Sequence, residues 1–416
     1  MQSFIPTHTT LLRKALSVLP LFFSLLLLGS CDSASENPYE VPPEEDNYFF
    51  SLKLQSLSNE TRGDSDGFEN DGCDDTIEGS KIENYIDIVG HDFHIALFDS
   101  EGNFIQEFDE KDISINNYNP SVPQEILVTI NKKNLEISAQ DFFYVVVLAN
   151  WKAFGQTSYD SLASKNLKAE ETNSIWSQSE FYNFSYPVDS ESKTSWVPEL
   201  SQGSRQLIPM FGMGPLEVSK IKSDSNNIDG SVIVHMLRSL AKITIEVSEE
   251  LFNNMGFDIG ECEINKYVEK GRLIPDLSKG WDTFDSQTGI HVSKPSTDGF
   301  IIGDTPLSFK NIASDGSKTV LAAYLPEMRS SSYTTNSDDR PYLTVSLLLK
   351  KESYKKPKRI ELSKYIKTDP QGNNLFDLLR NHHYRYEVNE ITEGGEISVS
   401  YTVCPWGKGS TDIEFK

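Results

Sequence analysis

The chain has 416 residues, with 62 acidic against 38 basic side chains and a formal net charge of −24, so it repels nucleic acid and anionic lipid surfaces. Hydrophobic residues at 38% and aromatics at 11% support a real core, and the length suggests two domains. Four cysteines without a CxxC pair leave thiol chemistry no organising role.

The first element is the uncharged apolar run from Ala15 to Gly29, preceded by Arg13 and Lys14. At about 1.5 Å per residue it reaches roughly 22 Å, short of a hydrocarbon core of about 30 Å. A basic start, a short apolar run and small residues at its end spell a secretory signal over residues 1–30 rather than a membrane span. Leu28-Gly29-Ser30-Cys31 resembles the bacterial lipobox, which implies cleavage before Cys31 and acylation of its thiol. Two or three acyl chains anchor a protein stably where one is marginal. Loss of residues 1–30 removes two bases and no acids, leaving 36 bases against 62 acids and a mature charge of −26. No later segment is apolar for long enough to suggest a transmembrane helix. Residues 31–47 then read as an extended tether, with Pro38, Pro42, Pro43 and a run of acids.

Period-two patterns dominate the rest. Phe50, Leu52 and Leu54 alternate with Ser51, Lys53 and Gln55. Residues 60–78 hold eight acids and one base, Arg62; counted from Asp64, a calcium loop would find Phe68 and Glu69 at its fifth and sixth places, so a solvated acidic loop is preferred. Phe93, Ile95 and Leu97 start a strand that ends at the turn Asp99-Ser-Glu-Gly102. Phe142 to Ala149 is continuously apolar, as for a strand covered on both faces. Leu237, Ala241, Ile243, Ile245 and Val247 are expected on one face of a long strand, Leu343 to Leu349 on another, and Ile397 to Val403 alternate with Ser398, Ser400 and Thr402. Short helices are expected at 157–168 and at 375–381, the latter capped by Asn374. The polar stretch Ser219–Gly230 is the candidate boundary between domains at 48–225 and 226–416. Strands at near-regular spacing with Asn, Asp, Gly and Ser turns mean an all-β sandwich architecture.

Catalytic constellations do not assemble. His91 and His94 stand three apart on an expected strand, which places them on opposite faces, and no HExxH, GxSxG or phosphate-binding loop occurs. His382 and His383 are expected beside a helix end as capping or packing residues. The expectation is a protein without catalytic residues, metal or cofactor. Cys73, Cys262 and Cys404 allow at most one disulfide, with the pair left open. Arg62-Gly63-Asp64 spells an integrin-binding tripeptide, read as coincidence in a chain rich in Asp and Gly. Asp32-Ser33-Ala34, Asp75-Thr76-Ile77 and Asp160-Ser161-Leu162 match a short O-glycosylation signal that arises easily by chance.

Four separated phrases fall in the order and spacing of one family: "FYVVVLANW" (143–151), "IPMFGMG" (208–214), "VIVHMLRSLAKITIEV" (232–247) and "LLRNHHYRYEVNEI" (378–391), the last preceding Cys404-Pro405-Trp406. With the lipobox, the chain resembles the fimbrillins of Bacteroidales bacteria, lipoprotein precursors of type V pili. The resemblance implies two tandem transthyretin-like Greek-key β-sandwiches with a few short helices, an outer-membrane and fimbrial location, and pilin partners joined by strand complementation. It implies a precursor tied to the outer membrane through Cys31, cut by an Arg-specific protease after Arg62 to leave Gly63 first, with Phe50, Leu52 and Leu54 on the exchanged strand. Only Ile413 and Phe415 are large and apolar in the ten residues after Trp406, which leans towards a tip or accessory subunit over a stalk subunit. A host or bacterial surface ligand would follow from adhesion. The alternative is a surface glycan-binding lipoprotein of a polysaccharide-uptake system, with Trp176, Tyr182, Tyr186 and Trp196 as sugar-stacking candidates, although packing of a loop-rich edge is the preferred reading of these four.

Overall fold

The computed structural model describes residues 47–56, 81–87, 92–116, 125–135, 142–150, 194–201, 204–228, 230–268, 270–274, 305–313, 316–327, 341–349, 352–361, 380–392 and 395–405, with short pieces between them. Cys31, Arg62, Gly63, Cys73, His91, the 157–168 helix, Trp176, Tyr182 and Tyr186 lie outside the described residues. So do the acidic stretch, the Arg-Gly-Asp tripeptide and the three O-glycosylation-like tripeptides. The fold is all-β, and Pro43–Lys416 is one compact unit.

The first half supplies β1 (Asn47–Ser56), β2 (Tyr85–Ile86), β3 (Phe93–Phe98), β4 (Phe104–Phe108), β5 (Ile113–Asn116), β6 (Glu125–Asn131) and β7 (Phe142–Ala149). Three short strands follow, β8 (Asn183–Ser185), β9 (Glu199–Ser201) and β10 (Ser204–Gln206), then the longer β11 (Met210–Glu217) and β12 (Ser231–Arg238). Eight of these form one sheet in the order β4-β3-β7-β11-β12-β1-β6-β5. Met210–Gly212 of β11 pair with β7 on one side and β12 on the other, after which β11 stays with β7 alone. The sheet therefore turns at β11 and folds over, so that Ile95, Val145 and Val147 of one leaf share a core with Phe50, Leu52, Val128 and Val234 of the other.

The fold-over requires glycine at its corner. A Cβ on Gly212 would sit 2.5 Å from Met236 Sδ and 2.7 Å from Val234 Cγ1, closer than packed side chains tolerate. The back of the β3-β7-β11 leaf is covered too, by a cluster of Phe98, Tyr144, Val146, Leu148 and Phe211 with Leu273 and Ile274. That is why β7 reads as unbroken Val and Leu: every residue after Phe142 is buried. The β3 strand ends at the expected turn, with the Asp99 carboxylate accepting from Asn103 N at 2.8 Å and Gly102 at φ 84°.

The second half runs through β13 (Leu240–Val247), a five-residue helix α1 (Glu249–Asn253) capped by Ser248, and β14 (Phe257–Asn265). Short strands β15 (Lys270–Arg272), β16 (Phe284–Asp285), β17 (Gly289–Ile290), β18 (Leu307–Ser308) and β19 (Lys310–Asn311) precede β20 (Leu321–Pro326). Then come β21 (Tyr342–Leu349), β22 (Glu352–Glu361), β23 (His382–Ile391), β24 (Ile397–Pro405) and β25 (Glu414–Phe415). Sheets of order β19-β20-β13-β23-β24 and β18-β14-β21-β22 enclose one core containing Ile243, Ile245, Ile259, Leu343, Val345 and Tyr386.

Three expectations are corrected. Leu237 does not share a strand with Ala241–Val247: the chain breaks at Ser239, whose N–H donates to Pro209 O at 2.9 Å, so Leu237 belongs to the first sheet and Ala241 to the second. Odd-numbered alternation continues through this corner, which is why the sequence reads as one strand. His382 and His383 open the long strand β23 rather than flanking a helix end, and Arg380–Asn381 before them form a turn with Asn381 at φ 57°. Cys262 is a buried free thiol, which removes it from any disulfide.

Replacing Gly212 by Val is expected to lower stability by about 1–3 kcal/mol through overpacking. Ile233→Ser, on an exposed β12 position, should stay within about 0.5 kcal/mol. Urea midpoints of the two variants make the comparison.

Candidate functional site: the first strand and its anchorage

The residues singled out for strand exchange lie in the interior of the sheet. β1 runs antiparallel to β6 from Asn47↔Asn131 to Lys53↔Glu125, and parallel to β12 from Ser51↔Ser231 to Ser56↔Met236. Phe50, Leu52 and Leu54 point into the core at 0%, 0% and 3% exposure. The Phe50 ring meets Phe108 edge-on at 6.2 Å, across to the opposite leaf. The other face carries Phe49, Ser51 and Lys53, and there Ser51 and Ser231 share a hydroxyl hydrogen bond of 3.1 Å. The start of β1 is clamped further by Phe49, whose N–H donates to Lys222 O at 2.7 Å and whose carbonyl accepts from Lys222 N at 2.8 Å.

Burial of three such side chains contributes roughly 5–9 kcal/mol before entropy, at about 1.5–3 kcal/mol each. That is comparable with the whole stability of an ordinary domain, about 5–15 kcal/mol. Loss of β1 would also strip hydrogen-bond partners from β12 and β6, both internal strands. The site is thus a slot of fixed shape: three large apolar pockets at alternate positions between two ready-made ladders.

Downstream of residues 57–80 the chain is held by a buried charge cluster. A short 3-10 turn, Lys81–Asn84, places Glu83 at 1% exposure, where its Oε1 accepts from Lys242 Nζ at 2.8 Å and from the Tyr324 hydroxyl at 2.5 Å. Arg238, at the end of β12, donates from Nε to Glu83 O at 3.1 Å, to Asn84 Oδ1, and from Nη1 to Asn381 Oδ1 at 2.9 Å. Burial pulls the Arg238 guanidinium down to about 10, a shift that Glu83 and Tyr324 oppose, so it stays charged at neutral pH. A second buried pair sits nearby: Arg380 binds Glu327 through Nε at 2.9 Å and Nη2 at 2.6 Å, and donates to Leu273 O and Arg272 O.

Two asparagines complete the anchorage. Asn150, at φ 58° just after β7, accepts from Asp87 N at 2.9 Å and donates to Tyr85 O and Ile208 O at 2.8 Å each. Asn381 does the corresponding work for Arg238. Both tolerate the left-handed conformation that a branched side chain would resist. They lie within the phrases "VLANW" and "LLRNHH", whose order suggested a family, yet their anchoring role was missed. The available signal was Arg238 and Lys242, two cations inside otherwise apolar strands, which require buried partners. Finally β2 pairs in parallel with β25, Tyr85↔Glu414 and Ile86↔Phe415, so the segment after the acidic stretch also holds the last strand.

The remaining candidates are structural. Nε2 of His383 meets Thr244 Oγ1 at 2.8 Å; burial, with Lys242 and Arg385 beside it, holds the ring well below the ordinary histidine value. Nδ1 of His382 donates to Arg380 O at 2.8 Å. His94 lies 3.4 Å from Glu107 at the edge of a cavity of about 420 Å³ that is lined also by Phe93, Phe108, Ile113 and Ile115. Trp196 stacks edge-on to Tyr324 at 6.1 Å in the second core, so it is no part of an open sugar platform. Among the described residues no cluster of His, Cys, Asp or Glu could hold a metal ion, and no helix is long and apolar enough to cross a membrane.

No family model and no curated protein matches the chain. Among solved structures it is similar to the tip fimbrial protein Mfa3 from Porphyromonas gingivalis, at 13% identity over 86% of this chain and 100% of that one, with a TM-score of 0.47. It is similar also to a fimbrial assembly protein from Parabacteroides distasonis, at 14% identity over 86% and 98% of the two chains, with a TM-score of 0.42. Both are described as fimbrial proteins.

Glu83→Ala should cost about 3–5 kcal/mol because Lys242 and Arg238 are left buried beside a missing carboxylate, and chemical denaturation measures this. The sign for His383 follows from its depressed value. The unfolded chain takes up a proton below about pH 6.5, whereas the native ring does not, so stability is full above that value and falls as pH drops below it. Melting temperatures from pH 7.5 to 5.5 should decline for the parent and decline less for His383→Gln.

Proposed function

We propose that the chain is a subunit of a cell-surface fimbrium, exported as a lipoprotein precursor on Cys31 and assembled by strand exchange through the β1 slot. The observation that carries this reading is the position of β1: a ten-residue strand at the start of the described chain lies between two internal strands, its neighbours in sequence far from its neighbours in space. Its covalent connection to the chain that follows runs through residues 57–80, and Arg62 lies in that link. Cleavage after Arg62 makes β1 a separate, non-covalent occupant of its slot. A strand from another pilin subunit, with large apolar residues at alternate positions, can then replace it, with ladder hydrogen bonds supplying affinity and the pockets of Phe50, Leu52 and Leu54 supplying register.

The segment beginning at Lys81 suits the role of a fixed point. The Glu83–Lys242–Arg238 cluster and Asn150 hold it through partners 60 or more residues away, none of them in β1. Excision of β1 would empty the slot and leave this anchorage intact. Such a subunit has no chemistry of its own; the protease, the membrane and the next subunit act on it. A tip or accessory place in the fibre is favoured over the stalk, because the strand that carries Phe415 is already paired with β2, and adhesion to a surface ligand is its expected task.

N-terminal sequencing of protein released from cells is expected to give Gly63 as the first residue, and Arg62→Gln should leave the chain uncut and membrane-bound. A released form that starts elsewhere overturns the cleavage site. Purified cut protein incubated with a peptide copy of residues 47–56 should exchange it for its own β1, whereas a Leu52→Asp peptide should not. Failure of the parent peptide to exchange after cleavage refutes the slot mechanism.

A further inference from the structure

The eight-stranded sheet ends in β4 on one side and β5 on the other, and a short link through residues 109–112 joins the two in sequence. Where they meet lies the cavity of about 420 Å³ at whose edge His94 faces Glu107. Its inner part is apolar: Phe108 is buried, and Phe93, Ile113 and Ile115 pack against the first core. That part is also held in shape, since Phe50 meets the Phe108 ring edge-on and Ile113 and Ile115 pair with Val128 and Ile126. The mouth is acidic. Glu107, Asp109 and Glu110 line it, the last two exposed, and no lysine or arginine is among the described residues of the lining. Lys111, the base on the same turn, binds Asp109 at 3.1 Å. The turn itself is closed by Asp112 N–H donating to Asp109 O at 2.9 Å and Asp109 N–H donating to the Asp112 carboxylate at 3.1 Å.

From this geometry we infer that the cavity is a binding site for a small organic cation, an ammonium or guanidinium group on a one-ring aromatic or short aliphatic stem. Small-molecule pockets span about 300–1,000 Å³ and are mostly apolar, with a few polar groups that fix orientation. This cavity has that size and that division of its lining, and it holds a whole small molecule rather than a length of chain. An acidic surface turn by itself is merely solvated; the apolar cavity beneath this one gives a ligand something to cover. Ionised carboxylates accept hydrogen bonds and donate none, so the mouth matches a ligand head that only donates. An ammonium or guanidinium has that property, and its stem replaces water against Phe93, Phe108 and Ile113. The same lining rejects the alternatives. Three carboxylates repel an anion, and a neutral sugar would press hydroxyls against Phe and Ile side chains that offer them no partner.

The test uses the purified uncut chain, so its outcome is separate from that of strand exchange. Phenethylamine and butylguanidine are the cationic probes, titrated by calorimetry, and one or both should bind saturably at one site per chain. Phenethyl alcohol and hydrocinnamate keep the ring and change the head. The alcohol should bind about tenfold more weakly than phenethylamine and the carboxylate not measurably, because charge-assisted hydrogen bonds are lost or reversed. Glu107→Gln with Glu110→Gln is expected to weaken the cationic probes about tenfold. Glu107→Asp with Glu110→Asp should retain most of the binding, which guards against a folding defect. An equal charge change at the exposed Glu261 and Glu390, both on the second half of the chain, should leave affinity within about twofold. Failure of both cationic probes to bind, equal binding of the alcohol or the carboxylate, equal loss in the control pair, or tighter binding of an arginine-containing peptide than of either probe would each overturn the inference.

Discussion

Everything in the first sheet depends on β1 being paired on both sides. An internal strand satisfies the backbone of two neighbours as well as its own, and it cannot leave without exposing both ladders. Here the same strand also plugs the core with Phe50, Leu52 and Leu54, so hydrogen bonding and burial are lost or kept together. The coupling gives the slot two properties at once. Its filling by β1 satisfies ladders and core together, and its emptying is costly, so the proposed exchange would proceed by displacement rather than by vacancy.

The second constraint is the buried charge cluster. Glu83 is desolvated, and so are Lys242 and Arg238; their mutual pairing offsets a penalty that none could bear alone. Such a cluster adds little net stability over a well-packed apolar alternative. What it does add is location: one register of the 81–87 segment satisfies every partner, including the two left-handed asparagines. The apolar slot and the polar anchor are complementary: the first holds β1 by burial and ladder pairing, the second fixes the register of the segment from Lys81.

Much of this fold is written in the sequence where one element decides its own burial. β7 reads as buried on both faces because every position from Phe143 onward is apolar, and β3 ends where Asp99 and Gly102 form a turn. β21 alternates as expected, with Leu343, Val345 and Leu347 buried. The misreadings occur where tertiary context decides. Leu237 and Ala241 share parity, but the chain changes sheets at Ser239 between them. Asn374 ahead of residues 375–381 suggests a capped helix, and the turn at Arg380–Asn381 is set instead by a bidentate bond to Glu327 and a distant arginine. The slot itself was legible as a strand, whereas its central position was not, because pairing across 180 residues leaves no local trace.

That separation bears on the order of events during synthesis. Ser51 meets Ser231, so β1 cannot complete its pairing until its parallel neighbour β12 has been made. Long-range parallel pairing is slow to form because loop closure precedes any reward. β1, the first of the described strands to be made, therefore completes its pairing only with β12, the last strand of its own sheet. Under the proposed exchange, release of β1 would retrace in reverse the last pairing step of its sheet.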